Sequence, residues 1–573
     1  MQDADSLDTS LVTLVRVLRA PAADTTRLRA AFRAARARYK RVEGVIEFYA
    51  PALAASFNAR RQELDDDDAP PPSALTPTGF PALETLLWPS HGAAHPDSAR
   101  RIAEQMRPFA ARLRALAPAL LPTQAQLIEI ARLELARVGT LGITSFDTPA
   151  THDAMRESAE ALAGVQALFN AGGAGFWPGG QAEFEQVGTA LARATTYLRA
   201  HDEFYGFNRL AFITAYAEPA ARAVDQLRGA ARVVPVRIQR AWRADVAWIY
   251  AASAFDARAY APSGTPEPTP AIVALGAQLF NEPALSGTGM RSCASCHSPA
   301  NAFSDGRVTA TSIDPRGSRV TRNTPTLINA SLQPAQFADE RSITLDDQVG
   351  EVLRSPAEMG SSVDRAVIAL RQQPRYGVLF GGAFGAAAPT PITSVRLRQA
   401  LAAYVRSLVA LDSRFDRAVR GDTSAMTVAE RRGFTLFMGK AACGTCHFAP
   451  LFSGNTPPRY INSDVEVIGT SRTAHRFAEL DADSGRARID GLPLHYRAFK
   501  TPTLRNIAQT APYMHNGGFR TLGQVVRFYD GGGGQGAGAR LGNQTLSADS
   551  LHLSIAEQRA LVAFLGALSA GVR

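Results

Sequence analysis

Cysteine is scarce in this chain, which holds only four in 573 residues. Long hydrophobic runs are also missing: no stretch of 18 consecutive apolar residues occurs, which excludes an ordinary transmembrane helix. The formal net charge of +9 comes largely from arginines scattered through alanine-rich segments. Because these arginines are not clustered with aromatic residues, the charge does not indicate a nucleic-acid-binding protein, and we expect no nucleic-acid partner.

The four cysteines all lie in two pentapeptides, CASCH at 293–297 and CGTCH at 443–447. The C-x-x-C-H pattern attaches c-type haem: two thiols bond to the haem vinyl groups and the adjacent histidine ligates the iron. A zinc site would need both thiol pairs to act together, whereas each pair here has its own histidine and lies far from the other. The sequence therefore predicts two covalently bound haem c groups. The attachment residues are Cys293, Cys296 and His297 for the first, and Cys443, Cys446 and His447 for the second.

C-type haems are attached outside the cytoplasm, yet the chain begins with the polar residues MQDAD instead of a hydrophobic leader. We therefore expect a mature periplasmic chain from which the leader has been removed. Since no cysteine remains outside the two motifs, no disulfide is expected.

Residues 1–255 have the apolar spacing of helices, at three- and four-residue intervals. This spacing predicts helices at 28–49, 98–120, 122–138, 151–170, 180–205, 208–230 and 238–255. Four aspartates at 65–68, followed by three prolines at 70–72, predict an exposed loop in preference to a cation site. Residues 256–270 are rich in proline, serine and glycine and predict a linker.

The segment GFPALETLLW at 79–88 resembles the G-x-H-x-x-E motif of the imelysin family, helical-bundle proteins of the bacterial envelope associated with iron uptake. YKRVE at 39–43 and FNRLAFI at 207–213 support the resemblance. The family's histidine corresponds to Pro81, which cannot ligate a metal, so we expect Glu43 and Glu84 to be structural. The resemblance implies a helical domain over 1–255, and Pro81 suggests the hypothesis that this domain acts as a docking or structural module.

Residues 271–420 and 421–573 each contain a helix, a C-x-x-C-H loop, irregular segments and a closing helix, which is the layout of a small cytochrome c. Helices are predicted at 271–280, 394–409, 427–438 and 554–568. The expected fold class is all-α: an N-terminal helical bundle followed by two cytochrome c-like domains.

Three internal stretches accompany the two motifs: RNTPTLINA at 322–330, FADERSITLDDQVGEVLRSPAEM at 337–359 and TAPYMHNG at 510–517. With them, the tandem arrangement resembles the bacterial di-haem cytochrome c peroxidases and the related MauG-type enzymes. The resemblance implies a peroxidatic haem in 271–420 and an electron-transfer haem in 421–573. It also implies that Gln348 and Glu358 lie on the distal side of the first haem. There Glu358 can relay a proton between the peroxide oxygens, and Gln348 can orient the peroxide.

The axial ligands depart from the usual peroxidase pattern. The family's distal histidine before the RNTP stretch is absent, and no histidine occurs between His297 and His447, so we expect the first haem to be open. Fourteen residues after His515, where typical peroxidases have methionine, stands Tyr529. MauG-type enzymes have tyrosine there, and a phenolate favours ferric iron whereas a thioether favours ferrous iron. Met514 is the competing ligand, and His515 is expected near the edge of the second haem.

The family also holds a calcium ion between the haem domains. The corresponding residues here are Asn323, Thr510 and Pro512, whose amide and carbonyl oxygens suit a hard cation. The family's tryptophan between the haems corresponds to Ala338, which puts strong charge sharing between them in doubt unless another aromatic residue such as Phe337 substitutes.

Three functions are compatible with these residues. The first is a di-haem peroxidase that reduces hydrogen peroxide with electrons from a small cytochrome c or a cupredoxin. The second is a MauG-like oxidase that uses peroxide to modify residues of a partner protein. The third is a non-enzymatic envelope electron carrier or iron-binding protein, against which the distal pair of Gln348 and Glu358 argues.

Overall fold

The computed structural model describes residues 2–20, 24–58, 78–89, 94–314, 316, 319–385 and 391–572. The aspartates at 65–68 and the prolines at 70–72 lie outside the described residues. Over these ranges the protein is mainly helical, as expected. The only sheet in the described ranges is a two-stranded antiparallel one, in which β1 (Val465–Glu466) pairs with β2 (Phe499–Lys500). No helix in the same ranges is both long and apolar enough to cross a membrane.

The N-terminal half is built from ten helices in the described residues. They are α1 (Gln2–Arg19), α2 (Thr25–Tyr49), α3 (Pro51–Asn58), α4 (Gly79–Leu87), α5 (Pro96–Leu116), α6 (Gln124–Arg137), α7 (Ala154–Gly172), α8 (Gln181–Ala200), α9 (Arg209–Phe212) and α10 (Glu218–Ala230). The apolar residues whose spacing predicted these helices are the buried ones. In α5, for example, Ile102, Met106 and Leu113 all face the core. Two π-helical turns, Val138–Gly142 and Ile213–Ala217, extend α6 and join α9 to α10.

The helix predicted at 238–255 is wrong, because this segment is irregular and contains only turns and an isolated bridge. Its large apolar residues are buried on several sides, so their spacing imitates that of a helix. A side chain from α6 donates hydrogen bonds to backbone carbonyls of this segment. The Arg132 guanidinium donates to the carbonyl oxygens of Arg243 (3.1 Å) and Val246 (2.7 Å). The Trp242 indole nitrogen donates to the Pro458 carbonyl oxygen at 3.0 Å. The segment is therefore a packed strap between the helical domain and the second haem unit.

The C-terminal half contains two units of similar build. The first has α11 (Pro270–Phe280), α12 (Leu345–Arg354), α13 (Val363–Arg371), α14 (Pro374–Phe384) and α15 (Ser394–Ser407). The second has α16 (Arg414–Val419), α17 (Val428–Met438), α18 (Ala487–Asp490), α19 (Leu522–Asp530), α20 (Gly533–Gly536) and α21 (Ile555–Ala567). In both, the helix before the C-x-x-C-H loop crosses the closing helix at a glycine. A Cβ at Gly276 would lie 2.0 Å from the Ala400 carbonyl oxygen, and one at Gly433 would lie 2.0 Å from that of Ala560.

The predicted linker is ordered. The Tyr260 hydroxyl donates to the Tyr460 carbonyl oxygen, and Arg258 forms an ion pair with Glu267. The Tyr260 ring packs against the core that includes the second haem unit. Residues 256–269 therefore lie against that unit instead of forming a loose tether.

Three large hydrophobic cores occur in the described residues. One is confined to α1–α5 and another to the first haem unit. The third is continuous through α6–α10, residues 241–250 of the strap, and the second haem unit. The later half of the helical domain and the second haem unit therefore form one packed body.

Candidate haem sites

A single cavity of about 2180 Å³ contains both C-x-x-C-H motifs. The side chains predicted from the sequence all line it. They are Cys293, Cys296, His297, Asn323, Gln348, Glu358, Cys443, Cys446, His447, Thr510, Pro512, Met514, His515 and Tyr529. The fold thus brings residues from distant parts of the chain to one space large enough for two prosthetic groups.

The first motif forms a tight turn that aims its histidine into the cavity. Cys293–Ser295 is a single 3₁₀ turn, capped by Ser292, and the His297 backbone N–H donates to the Cys293 carbonyl oxygen at 3.0 Å. Nδ1 of His297 donates to the Phe303 carbonyl oxygen at 2.9 Å. This bond fixes the ring and leaves Nε2 as the nitrogen that could ligate a metal. Burial lowers the pKa of His297, so the imidazole is neutral, as iron ligation requires.

The second motif repeats this geometry. The His447 backbone N–H donates to the Cys443 carbonyl oxygen at 2.9 Å, and Nδ1 donates to the Pro502 carbonyl oxygen at 3.1 Å. Burial lowers the pKa of His447 to about 4 and raises the pKa of Cys443 to about 12. A neutral imidazole beside two half-buried thiols matches the attachment chemistry of haem c.

Basic side chains on the cavity wall also fit haem, whose propionates are anionic. They are Arg291, Arg319, Arg322, Arg341, Arg459, Arg486, Arg488 and Lys500. Sequence reasoning missed another wall residue, His495, which is buried and whose Nδ1 lies 2.7 Å from an Asp490 carboxylate oxygen. No motif surrounds His495, so its place on the wall could not be found from spacing.

Gln348 and Glu358 both lie on the cavity wall. Gln348 projects from α12, which begins at the cap Thr344. Glu358 lies in the turn after that helix, where its backbone N–H donates to the Ser355 carbonyl oxygen at 3.1 Å. The carboxylate of Glu358 is close enough to Cys296 to contribute to the raised pKa of that thiol, which is caused mainly by burial. An amide and a carboxyl group therefore share the cavity with His297.

Tyr529 is on α19, a helix begun by a capping box at Thr521. It lines the cavity beside the second motif. Burial, and then the neighbouring Cys446, Cys443 and Glu466, raise the pKa of Tyr529 above its ordinary value. The phenol would therefore ionise only beside a cation such as ferric iron. Met514 also lines the cavity, so ligation by Tyr529 stays a prediction.

His515 has partners other than iron. Its Nε2 lies 3.0 Å from an Asp481 carboxylate oxygen, and its ring stacks on Phe499 with centroids 3.7 Å apart. The hydrogen bond from His515 holds the pKa of Asp481 below its ordinary range. The ring is thus fixed at the cavity wall by a carboxylate and an aromatic face.

The three predicted calcium residues lie where the two haem units meet. The Asn323 backbone N–H donates to the His515 carbonyl oxygen at 2.7 Å, which ties the first unit to the 510–517 loop. The Asn323 side-chain amide donates to the Arg307 carbonyl oxygen at 2.6 Å, so its oxygen is the atom left to serve as a ligand. Calcium at this junction stays a prediction.

Between the two units, Ala338 offers only its backbone, and its carbonyl oxygen accepts from the Lys500 N–H at 2.8 Å. Phe337 lines the cavity, and the Arg341 guanidinium covers its ring at 3.5 Å. Phe499 also reaches the junction, with Arg322 lying 5.5 Å from its ring centroid. Phenylalanines therefore occupy the region in which the family has an indole.

The helical domain contributes part of the cavity wall, including Glu47, Pro81 and Arg137. The imelysin-like motif has a structural role here: Glu84 accepts the backbone N–H of Thr151 at 2.7 Å. Elsewhere in the helical domain, three buried basic side chains form ion pairs with buried acidic side chains. The ion pairs are Arg36 with Asp147 and Glu157, Lys40 with Glu43, Asp147 and Glu157, and Arg137 with Glu43 and Asp147. In the part of the chain that the structure describes, no group of three His, Cys, Asp or Glu side chains could hold a metal ion.

The family profile of the di-haem cytochrome c peroxidases matches residues 270–424, and that of imelysin matches residues 2–166. The methylamine utilization protein MauG of Methylorubrum extorquens is 34% identical over 56% of this chain and 85% of its own length. The cytochrome-c peroxidase IdrP1 of Pseudomonas sp. strain SCT is 31% identical over 57% of this chain and 90% of its own. Among solved structures, a MauG-like protein associated with microbial copper homeostasis has 28% identity and a TM-score of 0.47, covering 54% of this chain and 92% of that one.

The family profiles and the two related sequences agree with the paired motifs and with the cavity that joins them. The chain belongs to the di-haem cytochrome c peroxidase and MauG family, carries two covalently bound haem c groups, and has an imelysin-type helical domain at its N-terminus.

Proposed function

We propose that this protein is a periplasmic oxidoreductase that reduces hydrogen peroxide at the His297 site, with electrons relayed through the His447 site. The observation that carries the proposal is the presence of Gln348 and Glu358 in the cavity of His297. Haem, when bound, supplies the electrons that cleave the O–O bond. The overall reaction consumes one hydrogen peroxide, two protons and two electrons and gives two water molecules.

The protein's own residues handle orientation and protons. Gln348 can hold peroxide through its amide without a change in charge. Glu358 can take the proton from one peroxide oxygen and deliver it to the other, which makes water the leaving group. His297 stays neutral because burial opposes its protonation and its Nδ1–H is held by Phe303. An electron carrier would need neither an amide nor a carboxyl group at this position.

The second candidate is a MauG-like oxidation of a partner protein, which Tyr529 favours. A phenolate ligand would stabilise the oxidised state of the second site, which suits storage of oxidising equivalents better than rapid uptake of electrons from a high-potential donor. In the first function the partner is a small cytochrome c or a cupredoxin, and in the second it is the protein that becomes modified.

Rapid mixing of the fully oxidised protein with one equivalent of hydrogen peroxide, without a donor, tests the proposal. A fast change in haem absorbance is expected, because no histidine lies between the two motifs to cap the first site. A product that persists for minutes favours protein oxidation, and rapid decay on adding reduced cytochrome c favours the peroxidase. A protein that reacts only after one haem is reduced would contradict the open first site.

A further inference from the structure

Tyr205 and His152 form a hydrogen-bonded pair on the surface of the helical domain. The Tyr205 hydroxyl lies 3.4 Å from Nδ1 of His152, and the Tyr205 side chain is 52% exposed. Burial lowers the pKa of His152, which keeps the imidazole neutral and able to accept a proton. A phenol paired with a neutral base can lose an electron and a proton together, which avoids a charged phenol intermediate.

Two buried phenols of the core that the helical domain shares with the second haem unit donate to backbone carbonyls instead. The Tyr250 hydroxyl donates to the Gly139 carbonyl oxygen at 3.0 Å, and the Tyr460 hydroxyl donates to that of Ala449 at 2.7 Å. Backbone carbonyls do not take up a proton near neutral pH. These two tyrosines lie nearer the centre of the shared core, yet their surroundings do not provide a base.

Ring contacts lead from the pair towards the second haem motif. The His152 ring stacks on Phe204 with centroids 4.8 Å apart, and Phe204 meets Tyr205 edge-on at 5.4 Å. The guanidinium of Arg209 lies 4.8 Å from the Phe204 centroid. Arg209 is completely buried and packs against Gly439, where a Cβ would come within 3.2 Å of its nitrogens. Gly439 ends α17, the helix that leads directly into Cys443.

Charged groups also lie around the pair. Arg209 donates to the carbonyl oxygens of Ile143 (2.8 Å) and Phe204 (3.0 Å), and Glu203 is the carboxylate that acts on its charge. The Tyr205 backbone N–H donates to Glu203 at 3.1 Å. Because a phenol that has lost an electron is a strong acid, oxidation of Tyr205 releases its proton, and His152 is in place to receive it.

We propose that Tyr205 and His152 form a redox site through which oxidising equivalents leave the protein surface one electron at a time. The proposal rests on the proposed reaction with hydrogen peroxide, which supplies the oxidant. In the step, the Tyr205 O–H bond breaks, the electron passes inward to the second haem site, and the proton passes to Nδ1 of His152. The neutral tyrosyl radical then takes an electron from an external phenol and regains the proton from His152, while the external phenol releases its own proton to water and leaves as a phenoxyl radical.

Freeze-quench electron paramagnetic resonance of the complete haem protein, after mixing with one equivalent of hydrogen peroxide, tests the site. The wild type is expected to give a tyrosyl signal that is lost in Tyr205→Phe. His152→Asn, a residue that tolerates the left-handed backbone of position 152 (φ 55°), should form the radical about tenfold more slowly or worse. Tyr496→Phe is the matched control, because Tyr496 is 43% exposed and its ring faces Arg497. The tyrosyl signal of the Tyr496→Phe variant should equal that of the wild type.

Absorbance recorded on the same samples separates the two proposals. An unchanged haem response together with an unchanged tyrosyl signal in Tyr205→Phe would overturn the Tyr205 site alone. A radical that forms at the wild-type rate in His152→Asn would overturn the proton acceptor. No haem response to peroxide in the wild type would overturn the proposed function and, with it, this site. Turnover of 2-methoxyphenol as the external donor is expected to fall in Tyr205→Phe and to be unchanged in Tyr496→Phe.

Discussion

The ring of Phe146 in the helical domain lies edge-on against Phe448, with centroids 5.5 Å apart and planes at 70°. Phe448 directly follows His447 of the second motif. With Leu141, the two rings form a small separate core. The helical domain therefore supports the second haem motif through a direct side-chain contact.

We expect Phe146→Ala to lower the free energy of unfolding by about 3–5 kcal/mol, because it removes a buried ring and leaves a cavity. Thermal unfolding of the haem protein, followed by absorbance of the second haem, measures the effect. Leu121→Ala is the control: this side chain is 84% exposed, so its change should stay within about 0.5 kcal/mol. Equal stability of the two variants would contradict a supporting role for the Phe146 contact.

Glu358→Gln is expected to lower kcat/KM for hydrogen peroxide by about 10²- to 10⁴-fold, because the amide cannot relay the proton. Steady-state oxidation of reduced cytochrome c measures it. Glu351→Gln is the matched control, since Glu351 is on α12, the helix that precedes Glu358, but pairs with Arg354 away from the cavity. A silent Glu358→Gln variant would instead favour the electron-carrier function.

Replacing Tyr529 tests the second haem. If its phenolate ligates iron, Tyr529→Phe should raise the reduction potential of that haem and change its ferric spectrum, because an anionic ligand that favours ferric iron is lost. Spectroelectrochemical titration of both haems gives the answer. The first haem is the internal control and should keep its potential. A second haem with unchanged potential and spectrum would point to Met514 as the ligand.

The buried acids of the helical domain predict a falling stability as the pH rises. Burial, reinforced by Glu43, raises the pKa of Glu134 to about 8 from its ordinary value of 4.5. Both of its carboxylate oxygens lack a hydrogen-bond partner among the described residues. Between these two pH values the unfolded chain loses the proton while the folded chain keeps it, so the free energy of unfolding decreases with pH.

Glu134→Gln should remove much of this dependence, because an amide does not ionise. We expect the variant to be more stable than the wild type by on the order of 1–3 kcal/mol above pH 8, and similar to it near pH 4.5. Denaturant unfolding at several pH values measures the difference. Glu185→Gln, at an exposed position, should follow the wild-type profile throughout. Parallel profiles for all three proteins would show that Glu134 is ionised when folded.

Calcium removal tests the junction between the haem units. A chelator such as EGTA should lower the thermal stability of the wild type and slow its reaction with peroxide, and added calcium should restore both. Asn323→Ala should weaken calcium binding measured by titration calorimetry. Asn281→Ala, at an exposed position, should bind as the wild type does. An unaffected Asn323→Ala variant would exclude that amide as a ligand.

Covalent chemistry made the haem motifs predictable from the sequence. Two thiols and a histidine at fixed spacing allow few other uses, and the structure gives both motifs the same turn and the same Nδ1 hydrogen bond. The residues at 348, 358 and 529 came from family resemblance instead, since nothing in their local sequence sets them apart from helix residues. Their common cavity is the structural observation that brings them together.

The strap at 238–255 shows the limit of periodicity. Trp242, Trp248 and Tyr250 are buried by different neighbours, and the partner of the Trp242 indole is Pro458, far away in the chain. The spacing of apolar residues within a short stretch of sequence carries no information about a partner that is so distant in the chain. For the same reason, the core shared by the helical domain and the second haem unit could not be predicted, because each half separately resembles a complete domain.

The shared core has a consequence for the order in which the protein matures. Residues 127–250 leave the ribosome before 415–568, whose side chains complete their core. The second C-x-x-C-H loop lies under this contact, with Thr144 packed on Gly444. We therefore expect the haem to be joined to Cys443 and Cys446 before the helices of residues 127–250 close over them. These helices thus reach their final packing only after a much later part of the chain has been made.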